Sequence, residues 1–198
     1  MSQQKHISTG FVDPVHDAQA AFRHVLDALA RPGRRVALGA DIKGLPIGPA
    51  MAALLLTLTD DDTAVWWQQG SSASTWLRFH TGAAVAVTTG AAAFAVVLDA
   101  ASMPGLQQFA AGTAESPEQS ATLLVEVSSL DAGPAVEWHG PGIKDTQTVQ
   151  IAGLPDGFWS QWQTNHALFP QGVDIVFTCA NAALGLPRTT RVRRLEGV

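Results

Sequence analysis

Short apolar runs of strand length alternate with stretches of helical periodicity along the chain, and this alternation narrows the fold more than any other feature. Strands are predicted at Arg35–Leu38, Thr63–Gln68, Ala83–Val87, Ala92–Leu98, Ala121–Val127, Ala135–Trp138 and Thr148–Ile151. Two more, Val173–Cys179 and Ala183–Leu186, read as a hairpin turning at Asn181-Ala182. Between them, Met51–Leu58 reads as a buried helix, Ser74–His80 as a short one, and Gly157–His166 as a third. Met103–Ala111 has helical character with Ser102 as its cap. Elements interleaved in this way predict an α/β fold, a single domain over residues 1–198 with a mixed β-sheet flanked by helices. A chain of 198 residues can bury one sizeable core.

The clearest helix runs from Pro14 to about Ala30. Asp13 is a good N-cap, proline suits the first helical position, and Pro32-Gly33 ends the element. Val15, Ala18, Phe22, Val25, Leu26 and Leu29 share one arc, the expected core face. His16, Ala20, Arg23 and Asp27 lie opposite, where Arg23 and Asp27, four apart, are spaced to pair.

Charged residues are only 15% of the chain, against roughly 25% in an ordinary soluble domain. So little charge points to a surface covered by a partner. The formal charge of −5 carries no nucleic-acid footprint, and Arg191, Arg193 and Arg194 read as a short basic tail. Met1–Gly10 is polar and lacks the apolar core of a secretory signal. The uncharged span Gly82–Leu98 is short for a membrane helix and is split by Thr88-Thr89-Gly90, so two buried strands are expected and the protein is placed in the cytoplasm. Cys179 is the only cysteine, which excludes an internal disulfide and a thiolate metal cage; in its apolar run a buried, inert thiol is expected.

Several residues invite chemical readings. Asp60-Asp61-Asp62 is a solvated turn or, less simply, a Mg²⁺ site. Gly140-Pro141-Gly142-Ile143-Lys144 resembles a phosphate loop, but it feeds a strand rather than a helix and reads as a tight turn. His16 and His24 lie about 80° apart around their helix, too far to share a metal. Arg78 and His80 can both donate to an anion; alternatively His80 meets carbonyls at a helix end. Trp66 and Trp67 point to opposite faces of a strand, while Trp159 and Trp162 form a buried helical stripe. Asp174 stands alone in an apolar strand and needs a partner. Arg188 and Thr189 lie across the predicted hairpin, so Asp174 is either a structural lock or a functional group at that sheet edge. No nucleophile elbow, zinc signature or dinucleotide fingerprint is present.

Six segments in order then carry a resemblance. They are Phe11–Arg23 with Arg31-Pro32-Gly33; Leu56–Trp66; Leu77–Thr81; Gly140–Ile143; Phe169–Asp174; and Pro187-Arg188-Thr189-Thr190. Together they resemble the H-subunit family of the bacterial carbon–phosphorus lyase system, the phosphonate-metabolism PhnH family, over nearly the whole chain. The resemblance implies a fold similar to the large domain of type I pyridoxal-phosphate transferases, but without pyridoxal phosphate. It implies a homodimer that joins the G, I and J subunits, with L and K associated; from the charge and the short uncharged span above, no nucleic-acid or membrane partner is expected. With G, I and L, the family moves ribose triphosphate from ATP to methylphosphonate and releases adenine, ATP being a substrate of the complex; J later breaks the carbon–phosphorus bond. The I subunit is the expected catalyst, so an accessory or scaffolding role is implied, with no catalytic residue and no metal. Arg23, Arg78, His80, Asp174, Arg188 and Thr189 are the candidate ligand- or partner-binding residues. The alternatives are a ligand pocket near Arg78, His80 and Arg188, and an independent metal-dependent enzyme.

Overall fold

The computed structural model of the chain describes residues 8–38, 44–70 and 72–195. Helix α1, Pro14–Ala30, starts as the sequence predicts: the Asp13 carboxylate accepts from the amides of Val15 and His16 at 3.2 and 3.1 Å. Asp17 reaches back to the Asp13 amide at 3.0 Å, completing a reciprocal cap. Strand β1 (Arg35–Ala37), helix α2 (Pro49–Leu58), strand β2 (Ala64–Trp67) and helix α3 (Ser72–Thr81) follow. Strands β3 (Ala84–Val85), β4 (Phe94–Val97) and β5 (Thr122–Glu126) come next, then β6 (Ala135–His139) and β7 (Gln147–Gln150). Helix α4 (Phe158–Ala167) leads into the hairpin β8 (Asp174–Cys179) and β9 (Ala182–Leu186), and β10 (Arg191–Arg194) closes the described chain.

Seven strands form one mixed sheet in the order β1-β9-β8-β5-β4-β2-β3. Neighbours from β8 to β3 pair in parallel, and β9 runs antiparallel to both β8 and β1. Alternation along each strand sends side chains to two cores. Val65, Trp67, Val96, Leu124 and Val176 pack under α1, α2 and α3. Ala95, Val97, Leu123, Val125, Ile175 and Phe177 face Trp138, Phe158 and Trp162 from the second, three-stranded sheet β10-β6-β7 and from α4. Burial on both faces explains why the central strands are almost wholly apolar. Gly185 lets α1 lie directly on β9, because a Cβ there would meet the Ala28 carbonyl oxygen at 2.6 Å.

Several expectations are corrected. Helix α1 buries only Ala21, Val25 and Ala28; Val15, Phe22 and Leu26, on the same predicted arc, are exposed at 62%, 46% and 50%. The core takes the small-residue side of the arc because α1 sits so close to the sheet. Asp27 pairs with Arg31 and Arg34 at 3.0 and 3.3 Å rather than with Arg23. The stretch Met103–Ala111 forms only a 3₁₀ turn at Leu106–Gln108, since Pro104 disfavours helical geometry at the residue before it. Ser102 ends a separate 3₁₀ turn capped by Asp99. Strand β3 is a two-residue exposed edge, not a buried strand. Cys179 ends β8 half-buried, its thiol 3.6 Å from the Ser128 carbonyl. Arg191–Arg194 is no tail: it pairs antiparallel with β6 around the buried Val192. Trp66 and Trp67 do face opposite cores, with Trp66 edge-on to Phe109.

Candidate functional site

Open parallel sheets present ligands at the C-terminal ends of their strands, where neighbouring connections diverge. Here that crevice is spanned by the protein's own side chains. Gln68, just past β2, accepts from the amides of Leu98 and Asp99 at 3.0 and 2.9 Å and donates to the Asp99 carbonyl and the Ser102 hydroxyl. Glu126, at the end of β5, accepts from the Gly48 amide at the start of α2 at 3.4 Å. Burial raises the Glu126 carboxyl above its ordinary pKa, and the Gly48 bond opposes that only in part.

Three of the polar residues singled out from sequence, Asp174, Arg188 and Thr189, lie instead at the opposite end of the sheet, where β8 begins. The register Ile175↔Leu186 ends the hairpin ladder beside Asp174. Beyond it, Pro187–Thr190 makes a tight turn, with the Thr190 amide 2.8 Å from the Pro187 carbonyl. The Asp174 carboxylate accepts from the Arg188 amide at 2.7 Å, from Nε at 3.1–3.2 Å and from Nη2 at 2.5 Å. Nη1 of Arg188 donates to the carbonyls of Pro117 and Pro170 at 3.0 and 3.2 Å, and Nη2 also to the Ser120 hydroxyl. The whole guanidinium is thus committed to protein acceptors on three segments. Asp174 and Arg188 are only 22% and 14% exposed, so the pair ties the strand start to the turn with little screening.

Thr189 instead lines an adjacent cavity of about 400 Å³, together with His139, Gly140, Pro141, His166, Phe169 and Arg191. His139 ends β6 directly across from Arg191, and α4 places His166 beside them. The His166 Nδ1 lies 2.7 Å from the Arg188 carbonyl and must donate to it; its Nε2 then accepts from Arg191 Nε at 3.3 Å. The Gly140-Pro141-Gly142 loop is a tight turn leading to β7, and Gly142 lies hard against the Ala30 carbonyl at the end of α1.

The remaining candidates lie apart. Arg23 is exposed on α1 beside a shallow cavity shared with His24, Asp27, Arg34 and Arg35. Arg78 is exposed on α3, and His80 there hydrogen-bonds the Ser8 carbonyl at 3.1 Å. Arg78 and His80 do not join Arg188, whose donors are already taken. Asp60 accepts from the Thr63 hydroxyl in a turn. Among the described residues no group of three or more His, Cys, Asp or Glu is placed to hold a metal, and no helix is long and apolar enough to cross a membrane.

Residues 9–193 match the family model described as bacterial phosphonate metabolism protein (PhnH). The chain belongs to the PhnH family. A Rhizobium meliloti (strain 1021) relative, the alpha-D-ribose 1-methylphosphonate 5-triphosphate synthase subunit PhnH, is 45% identical over 199 residues, covering 98% of this chain and all of the relative. The provisionally named C-P lyase subunit protein HtxG of Stutzerimonas stutzeri is 32% identical over 174 residues, covering 88% of this chain and 85% of its own. Family membership therefore spans both sheets and the Asp174–Arg188 turn.

Proposed function

We propose that this PhnH-family chain is an accessory, non-catalytic subunit of the carbon–phosphorus lyase core complex. It is required with the G, I and L subunits to transfer ribose triphosphate from ATP to methylphosphonate, with release of adenine. The observation that carries this reading is the near-full-length likeness to a subunit of a ribose 1-methylphosphonate 5-triphosphate synthase. Asp174 is committed to Arg188, Glu137 to Arg193, Asp27 to Arg31 and Arg34, and the strand-end crevice is spanned by Gln68.

Residues 1–198 act as one domain; the small sheet supports this by sharing a core with the large one through Val136, Trp138, Val149 and Val192. The fold is a mixed α/β sheet with β9 antiparallel in an otherwise parallel seven-stranded sheet, and we propose that it is similar to the large domain of type I pyridoxal-phosphate transferases. The subunit uses no pyridoxal phosphate: Lys144 is an exposed loop residue after Gly142, while Lys5 and Lys43 lie outside the described residues. We place it in the cytoplasm as a homodimer that joins G, I and J, with L and K associated. The exposed stripe Val15, Phe22 and Leu26 on α1 suits such contacts. Arg23, Arg78 and His80, exposed on α1 and α3, are candidate partner contacts; Asp174 and Arg188 are structural. Co-expression with affinity-tagged G, I and J tests the assembly. A stoichiometric co-purifying complex is expected, and a chain that elutes alone from every combination contradicts the reading.

A further inference from the structure

We propose that the cavity lined by His139, His166, Phe169, Thr189 and Arg191 is a binding site for a phosphoryl or phosphonate oxyanion carrying a small organic group. Its polar lining consists of two imidazoles, a guanidinium and a hydroxyl, and contains no carboxylate, within a chain whose formal charge is −5. Arg191 is the one formal charge in that lining, and with no carboxylate opposing it the recess favours an anion.

The nearby carboxylates are already occupied. Glu137, two residues before His139 on the same side of β6, is taken by Arg193, its cross-strand partner on β10. Asp174, beside the turn that carries Thr189, is taken by Arg188. Arg191 pairs with no carboxylate among the described residues. Its only side-chain hydrogen bond among the described residues runs from Nε to His166, and that bond fixes the guanidinium while leaving both terminal nitrogens without a partner among those residues. His166 is held in turn by the Arg188 carbonyl, so the structural lock and the cavity share one hydrogen-bond chain. A planar fork held by its inner nitrogen is the geometry suited to bidentate recognition of phosphate-like anions.

His139, opposite Arg191 across the β6–β10 ladder, supplies a second nitrogen from the same face, and Thr189 a hydroxyl from the turn. Phe169, 59% exposed, gives the cavity an apolar wall for the organic part of the ligand. The volume of about 400 Å³ lies within the range of small-molecule sites and exceeds what an isolated oxyanion fills. This inference does not depend on the accessory role: a subunit can hold such a ligand alone or within an assembly.

Isothermal titration of the full chain at fixed ionic strength tests it, with inorganic phosphate, methylphosphonate, tripolyphosphate and ATP as separate titrants. Saturable one-to-one binding of at least one titrant is expected. The order among the four distinguishes phosphonate from phosphoryl ligands, and a gain for ATP over tripolyphosphate reports the organic group. Arg191→Gln and His139→Gln should each weaken that binding by about tenfold or more, and Thr189→Val by a smaller factor. Arg194→Gln, on the other side of β10, should leave it within about twofold, since a charge outside the cavity contributes only screened attraction. Thermal melts of each variant confirm folding. The proposal is overturned by no saturable heat with any titrant up to about 10 mM. It is equally overturned if Arg191→Gln and His139→Gln fold and bind as wild type, or if Arg194→Gln loses as much as they do.

Discussion

Replacing Asp174 tests the hydrogen-bond network at the base of β8 with a calculable cost. The carboxylate accepts from the Arg188 amide and from two guanidinium nitrogens, and both side chains are mostly buried. Breaking a buried ion pair by removing one member costs about 3–5 kcal/mol, because the other charge is left uncompensated. In Asp174→Ala, Arg188 keeps the carbonyls of Pro117 and Pro170 and the Ser120 hydroxyl, which places the loss near the lower bound, about 3 kcal/mol. For a chain of this size that lowers the Tm by roughly 6–12 °C. Asp174→Asn keeps one oxygen for the Arg188 amide and loses the charge, so its cost is smaller, about 1–3 kcal/mol. Urea melts at pH 7 give both values. An Asp174→Ala protein as stable as wild type refutes the reasoning and makes Asp174 a functional group instead.

Three further outcomes follow from the same geometry. Glu126 has a raised carboxyl pKa from burial, so its favourable contribution is complete below the unfolded carboxylate pKa and is lost as pH rises through the folded value. Glu126→Gln, which keeps an acceptor for Gly48, should therefore gain stability relative to wild type as pH rises through that window; a constant difference across denaturation curves at several pH values contradicts this. Asp13 is shifted the other way, lowered first by the His16 amide and then by the His16 side chain. Its contribution is complete above the unfolded pKa and lost as pH falls through the folded one, so Asp13→Asn should lower the Tm near neutrality and converge with wild type in acid; parallel thermal profiles would count against the cap. Leu26→Glu, on the exposed stripe of α1, should turn a sedimenting dimer into a monomer without changing the far-ultraviolet spectrum, and an unchanged dimer removes α1 from that interface.

The elements with local chemistry were legible in the sequence. Asp13 and Pro14 announce α1, Thr88-Thr89-Gly90 separates β3 from β4, and the apolar run around Phe177 marks a strand buried on both sides. Readings that depended on tertiary placement were not. Which half of the α1 arc faces the core is decided by Gly185, which lies far away in the chain. Strand β10 was hidden because one apolar residue, Val192, stands among arginines, although the alternation Arg191-Val192-Arg193 was its only available signal. Asp174 and Arg188 were recognisable as the odd polar residues beside one hairpin, and the register resolved their pairing. The cavity beside them was not recognisable: His139, His166, Thr189 and Arg191 come from β6, α4, a turn and β10, with no shared spacing. The cross-strand pairing of His139 with Arg191, the His166–Arg191 hydrogen bond and the Pro187–Thr190 turn bring them together.

The most direct test of the accessory role is adenine release from ATP and methylphosphonate by purified subunits. No release is expected from this chain alone, release from the chain combined with G, I and L, and loss of that release when this chain alone is omitted. Adenine formed by the isolated chain, or undiminished release in its absence, would contradict it.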